Sequence, residues 1–191
     1  FDPKVIGGRS RCPYCKHTLR WFELVPIVSF VAQRGRCRKC GVRIGLQYPL
    51  VELLSGLIFV SVPFVLASYP WLISGFWILV FETLLLIAYI DLRLQIIPDE
   101  LTIILGVVAI FEAIFGAAYL GSLGQSWASR LEGVLFGAAF FGFLILITRG
   151  KGMGMGDVKL ALPLGFLFGW PDIVLLSGSA FVAGALVGVI L

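Results

Sequence analysis

The stretch Gly152-Met153-Gly154-Met155-Gly156-Asp157-Val158-Lys159-Leu160 sets one carboxylate behind a run of alternating glycines and ahead of an apolar segment. Alternating glycines admit positive φ and let another chain approach the backbone closely. Ionisable groups at membrane depth are costly, which makes Asp157 a functional candidate. One carboxylate does not make a hydrolase. The chain must supply a second acid at the same depth and on the same side.

Hydrophobic residues make up 59% of the chain and charged residues 14%, with a mean hydropathy of +1.00. Those values exclude an ordinary soluble domain and select an integral membrane protein. The chain runs from Phe1 to Leu191, inside an apolar segment, so it is expected to be part of a longer protein. The net charge of +4 is unevenly placed: ten of the fifteen Lys/Arg residues fall between Lys4 and Arg43. A basic head of this kind suits nucleic acid or anionic lipid. Next to a membrane span it sets orientation, because basic segments stay in the cytoplasm. No nucleic-acid partner is expected; the lipid bilayer is.

Residues 1–48 form this polar head and hold all four cysteines. Cys12-Pro13-Tyr14-Cys15 and Cys37-Arg38-Lys39-Cys40 give two C-x2-C pairs with 21 residues between them. Each pair places two thiolates on one side of a tight knuckle, and two knuckles complete a tetrahedral S4 site. Structural Zn2+ on Cys12, Cys15, Cys37 and Cys40 is favoured over two disulfides, because the head should face the reducing cytoplasm. The sole histidine, His17, is read as a solvated knuckle residue rather than an alternative ligand. Pro26-Ile27-Val28-Ser29-Phe30 is apolar but too short to span, so it packs under the lobe or at the membrane interface.

Residues 49–191 form the membrane domain. Apolar runs near 50–68, 71–90, 101–120, 131–148, 158–170 and 173–191 are marked as six spans, judged against the ~20 residues a helix needs to cross a bilayer. The fifth is short and carries Pro163, which suits a tilted, broken or partly inserted helix. No internal repeat stands out. Small residues at Gly137-Ala138-Ala139 and from Gly178 to Gly188 suit close helix packing. With the head inside, the loops at 91–100 and 149–157 also face inside, while 69–70 and 121–130 face outside. One Lys/Arg of the fifteen, Arg130, then falls outside and fourteen fall inside.

That topology brings Asp91, at the end of the second span, and Asp157, at the start of the fifth, to one mouth of the bundle, although 66 positions separate them. Two such carboxylates share a proton: one acts as base toward water while the other donates to the carbonyl. Structural readings stand beside this. Asp157 suits a helix N-cap, Asp91 a partner for Arg93 or Lys159, and Asp99 the N-cap of the next helix, with Glu100 in its first turn. Glu52 lies near the inner interface within reach of the basic head. Glu82 and Glu112 fall mid-span, where they must be neutral, paired or wet. Those two motivate an alternative of another class, an ion-coupled transporter or channel with a zinc-stabilised lobe. A third class is a scaffold that recruits partners through the lobe.

The motif order, C-x2-C, C-x2-C-Gly, Tyr48-Pro49-Leu50-Val51-Glu52, Ile90-Asp91-Leu92, Ile97-Pro98-Asp99 and Gly154-Met155-Gly156-Asp157-Val158-Lys159, resembles that of the bacterial type IV prepilin peptidases. The likeness runs from about Arg11 to the end of the chain. It implies an all-α polytopic transmembrane helix bundle with a small cytoplasmic zinc-knuckle lobe near the N-terminus, in the bacterial inner membrane. It implies a GxGD-type aspartic endopeptidase with Asp91 and Asp157 catalytic, while Gly154 and Gly156 let the substrate backbone approach. Prepilins and pseudopilins, with their short basic leaders, are the implied substrates, and acidic residues at the mouth such as Glu100 would receive those leaders. The resemblance also implies S-adenosylmethionine-dependent N-methylation of the new terminus, with the cysteine lobe tied to that step. No strand followed by a glycine-rich turn marks a methyl-donor pocket here. Members carry more spans than the six marked, which implies one before residue 1 and another at or beyond the C-terminus.

Overall fold

The computed structural model describes residues 9–120, 125–150 and 153–190. The start of the head (1–8), part of the expected outer loop (121–124), Gly152 and Leu191 lie outside the described residues. Those described are helical, joined by turns, and the only extended pairing among them is two isolated bridges in the head. A 3₁₀ turn (Trp21–Glu23) and a short helix, α1 (Val28–Ala32), precede six long helices. These are α2 (Gln47–Val65), α3 (Trp71–Leu94), α4 (Asp99–Leu120), α5 (Trp127–Thr148), α6 (Met155–Phe168) and α7 (Asp172–Ile190). Each coincides with one of the apolar runs. The chain divides into two compact units that meet inside α2, between Ser61 and Val62.

Among the described residues, α2, α3 and α5 are long and apolar enough to cross a membrane. The fifth run is different. At 14 residues, α6 reaches only ~21 Å at 1.5 Å per residue, against a hydrocarbon core of ~30 Å. Pro163 does not break it; the helix continues to Phe168 with the Pro163 side chain buried.

What α6 lacks in length it recovers in burial. It packs chiefly between α5 and α4, and Ala161, Pro163, Gly165 and Leu167 are buried along it. Leu167 joins Val80 of α3 and Leu105, Val108 and Ala109 of α4 in the apolar core, with Trp77 and Phe168 against its edge. On the α5 side the contact is backbone to backbone. A Cβ on Gly133 would strike the Gly165 carbonyl oxygen, and one on Gly165 would strike that of Gly133. One turn along, a Cβ on Gly137 would lie 3.1 Å from the Ala161 carbonyl oxygen. Gly133-x3-Gly137 thus faces Ala161-x3-Gly165, the small-residue arrangement by which membrane helices pack without a hydrophobic drive. Of the small-residue runs marked from sequence, Gly137 makes such a contact, whereas nothing lies within 4 Å of a Cβ at Gly178.

α5 begins earlier than its apolar run, because the Ser126 side chain caps it by accepting from the Ser129 amide at 3.1 Å. Arg130 is therefore a helical residue and not the end of an outer loop. It is buried, with its guanidinium 2.7 Å from the Glu112 carboxylate of α4 and donating to the Phe166 carbonyl of α6 at 3.1 Å.

Gly133→Leu or Gly165→Leu should lower stability by at least about 1–3 kcal/mol through overpacking, read as a lower midpoint of thermal unfolding in detergent. Gly142→Ala, where nothing lies within 4 Å of the added Cβ, should leave the midpoint in place. Equal midpoints for all three variants would remove the close crossing from the account.

Candidate active site

The site is built at the ends of α3 and α6, one turn from the loop that joins α3 to α4. α3 ends where Gln95 turns into the left-handed region, its amide closing on the Asp91 carbonyl at 2.8 Å. Asp91 therefore sits in the last turn, with its side chain exposed. α6 begins at Met155 with Gly154 as its N-cap. Asp157, in the first turn, reaches back and accepts from the Gly154 amide through Oδ2 at 3.1 Å. The structural reading of Asp157 is thus half right: it is the carboxylate that closes the cap from the third position, not the cap itself.

Asp157 lies in the polar stretch ahead of the apolar run that starts at Val158, and it is half-buried. Burial raises its pKa above the ordinary carboxylate value, the Gly154 amide opposes this, and the negative charge of Asp91 raises it further. Asp91 and Asp157, remote in sequence, therefore feel each other's charge.

Neither cation considered as a partner for Asp91 is directed at it. The Lys159 ammonium pairs with both carboxylate oxygens of Asp99, at 2.7 and 2.9 Å. The Arg93 guanidinium lies over the Tyr89 ring, 5.7 Å from its centroid. The Asp99–Lys159 pair ties the first turn of α4 to the first turn of α6. Gly156 does similar work: a Cβ there would lie 3.1 Å from Cβ of Ile97. The close approach that Gly156 permits in this structure is to the α3–α4 loop. Gly154 is exposed, with only Asp157 Oδ2 and the Gly156 amide near a Cβ placed on it, so the open side of the glycine run is at Gly154.

Glu112, half of the motive for a transport pathway, is the ion-pair partner of the buried Arg130. Glu82 is half-buried on α3.

The second constellation is in the head. Sγ atoms of Cys12, Cys15, Cys37 and Cys40 all lie within 4.8 Å of one another. Cys12 is 3.9 Å from Cys40, and Cys15 is 4.0 Å from Cys37. No disulfide links them, and those separations approach the ~3.8 Å edge of a thiolate tetrahedron with metal–sulfur bonds of ~2.3 Å. The four cysteines thus fit a tetrahedral metal. Amides of Cys15 and Tyr14 lower the Cys12 thiol to about 6. Cys40 has a favourable Val42 amide, but desolvation and the Cys37, Cys15 and Cys12 side chains push it up to about 11. His17 is not in the cluster; its Nε2 lies 3.9 Å from Glu23.

The knuckles are repeats of each other, which the sequence reading missed. Cys12 donates to the His17 carbonyl and Cys37 to the Val42 carbonyl; Lys16 donates back to Cys12 and Gly41 to Cys37. Bridges Arg11–Thr18 and Arg36–Arg43 complete the correspondence. The left-handed turn position holds Gly41 in one knuckle and Lys16, at φ 56°, in the other.

A model of the type IV leader peptidase family matches residues 78–189, and one of the bacterial peptidase A24 N-terminal domain matches residues 2–66. The chain belongs to the type IV leader peptidase family. It is similar to proteins named prepilin leader peptidase/N-methyltransferase. That of Bacillus subtilis (strain 168) is 35% identical over 96% of this chain and 69% of its own length. Those of Myxococcus xanthus (strain DK1622) and Pseudomonas aeruginosa are each 35% identical, over 100% and 98% of this chain and 56% and 63% of theirs. The chain thus spans between 56 and 69% of these relatives' length. No solved structure matches. Within the family model lie both carboxylates of the site and the Asp99–Lys159 pair; the cysteine cluster lies within the N-terminal one.

The sign of a pH effect follows from Asp157. A carboxylate whose folded pKa is raised binds its proton more tightly in the native state, so native stability falls as pH rises from the ordinary carboxylate range through the raised value. Asp157→Asn removes that penalty and can still accept from Gly154. It should unfold at a higher temperature than wild type near neutral pH, with the difference shrinking as pH falls toward ~4. A difference that is flat with pH would contradict the burial of a charged Asp157.

Proposed function

We propose that this protein is a membrane aspartic endopeptidase that removes the leader from type IV prepilins or pseudopilins, with Asp91 and Asp157 as its two acids. The observation that carries the reading is the convergence of these carboxylates from two helix ends, with the nearby Lys159 paired to Asp99, in a member of the leader peptidase family. Asp157, the more buried acid, holds the shared proton; Asp91, exposed, takes a proton from water. The water oxygen attacks the peptide carbonyl carbon as Asp157 donates to the carbonyl oxygen. The tetrahedral diol then collapses: one hydroxyl returns its proton to Asp157 as the carbonyl re-forms, the C–N bond breaks, and the leaving nitrogen takes the proton held by Asp91. No covalent acyl-enzyme forms. Gly154 supplies the open edge for substrate backbone, while Glu100, exposed at the start of α4, faces the basic leader.

Zn2+ on Cys12, Cys15, Cys37 and Cys40 cross-links the two knuckles, and four protein ligands leave no open position for catalysis. N-methylation of the new terminus from S-adenosylmethionine belongs to the proposal through the relatives' names. The bacterial inner membrane, with lobe and active site in the cytoplasm, fits the distribution of Lys and Arg. The transporter alternative has lost Glu112 to a structural pair, and the family speaks against it.

Cleavage of a prepilin peptide in liposomes should fall about 10²- to 10⁴-fold on Asp91→Asn or Asp157→Asn, with both variants folded by thermal unfolding. Asp99→Asn should lose far less, because its pair with Lys159 is exposed and positional. Full activity in folded Asp91→Asn would reject the dyad. Separately, the purified protein should carry about one zinc ion per chain, and Cys37→Ser should lose it. Metal uptake should release protons and weaken as pH falls. No metal in wild type, or unchanged metal in Cys37→Ser, would reject the site.

A further inference from the structure

The head carries an apolar surface that the proposed chemistry does not use. Trp21 is 79% exposed, Val28 63% and Val31 68%, with Leu24 and Ile27 also open. α1 buries none of its residues. Arg20 and Arg34, both exposed, bracket the segment. Its only acid, Glu23, is turned inward and accepts the Arg20 amide at 2.8 Å. An apolar strip with an aromatic at one end, basic flanks and no outward acid has the composition of a segment lying in a membrane interface.

The structure also ties the segment to a helix long and apolar enough to span. The Ile27 amide, at the start of α1, donates to Glu52 Oε2 at 2.7 Å. Glu52 belongs to α2, which begins at Gln47 and is long and apolar enough to cross the bilayer. Five residues along that helix is ~8 Å at 1.5 Å per residue, and amphipathic helices seat ~5–10 Å into the boundary between headgroups and acyl chains. α1 is thus tied to the second turn of the spanning helix, a position compatible with such seating. The bond holds the amide of Ile27, the N-cap residue of α1, whose φ is 60°.

We infer that the segment from Trp21 to Val31 is seated in the lipid interface at the N-terminal end of α2, docking the cysteine lobe on an anionic membrane surface. The inference concerns the lobe alone and stands whether or not the protein is a peptidase. It joins two features left separate by the sequence, an apolar run too short to span and a glutamate near the inner mouth.

The test uses the full chain in vesicles of phosphatidylcholine and phosphatidylglycerol, with acyl chains brominated either near the headgroup or near the bilayer centre. The difference in emission between wild type and Trp21→Phe isolates Trp21. That signal should be lost with shallow bromines, largely kept with deep ones, and insensitive to acrylamide in the water. The double variant Val28→Asp with Val31→Asp should restore the emission in shallow-brominated vesicles and open it to acrylamide. Quenching of wild-type Trp21 by acrylamide but not by brominated lipid would overturn the inference, since the lobe would stand free in water. Protection from both quenchers would also overturn it, because protein would cover the strip. Shallow quenching that survives the double variant would remove α1 as the seat.

Discussion

The approach of α5 to α6 at Gly133 and Gly165 is the constraint on which the membrane unit depends. In lipid there is no hydrophobic gain from bringing two apolar helices together, so contact must come from van der Waals fit. Here fit means bare backbone on both sides, with Gly137 and Ala161 continuing it one turn along. α6 needs this more than its neighbours do, because it is too short to be held by spanning. Enclosed by α5, by α4 and by the core around Leu105 and Leu167, it becomes a fixed post inside the bundle. Asp157 is its first-turn carboxylate, so the position of that acid is inherited from glycines two to three turns away.

The opposite end of α6 is locked by polar contacts. Arg130 bridges α5 to Glu112 of α4 and to the Phe166 carbonyl of α6. Beyond it, the Ser129 hydroxyl and carbonyl meet the backbone of Trp170, and Gln125 donates to Asp172. A buried ion pair of this kind is worth little as a source of stability, because desolvation offsets its attraction. Its value is register. Three helices must present their groups at one level for the guanidinium to be satisfied, and α6 is thereby prevented from sliding.

Much of this was legible in the sequence, and what was not has a common physical cause. Helix existence follows from apolar runs, and the run containing Pro163 was already the odd one. The two C-x2-C pairs announced a cluster because the ligand spacing is local. Contacts made across helices were hidden. Gly133 and Gly165 carry no mark that pairs one with the other, and Gly137-Ala138-Ala139 looked as suitable as the Gly178 region, which stays open. Lys159 was read as a partner for Asp91, and it pairs instead with Asp99 across helices. The duplication of the knuckles was concealed because their likeness is in backbone hydrogen bonds, with Lys16 standing where its counterpart is Gly41.

The disposition of cations gives the site its character. Two carboxylates can share a proton only if no fixed positive charge neutralises one of them; an adjacent Lys or Arg would lower its pKa and leave both ionised. The chain has cations close by in sequence, at Arg93 and Lys159, and each is held elsewhere. Arg93 rests on Tyr89, and Lys159 is claimed by both oxygens of Asp99. Asp99 therefore serves the site without belonging to it, as a counter-ion that keeps an ammonium two residues from Asp157 occupied. Glu112 does the converse at the far end, consuming the charge of Arg130. Among the described residues, Asp99 and Glu112 are thus held in ion pairs, which sets them apart from Asp91 and Asp157, the pair proposed for the chemistry.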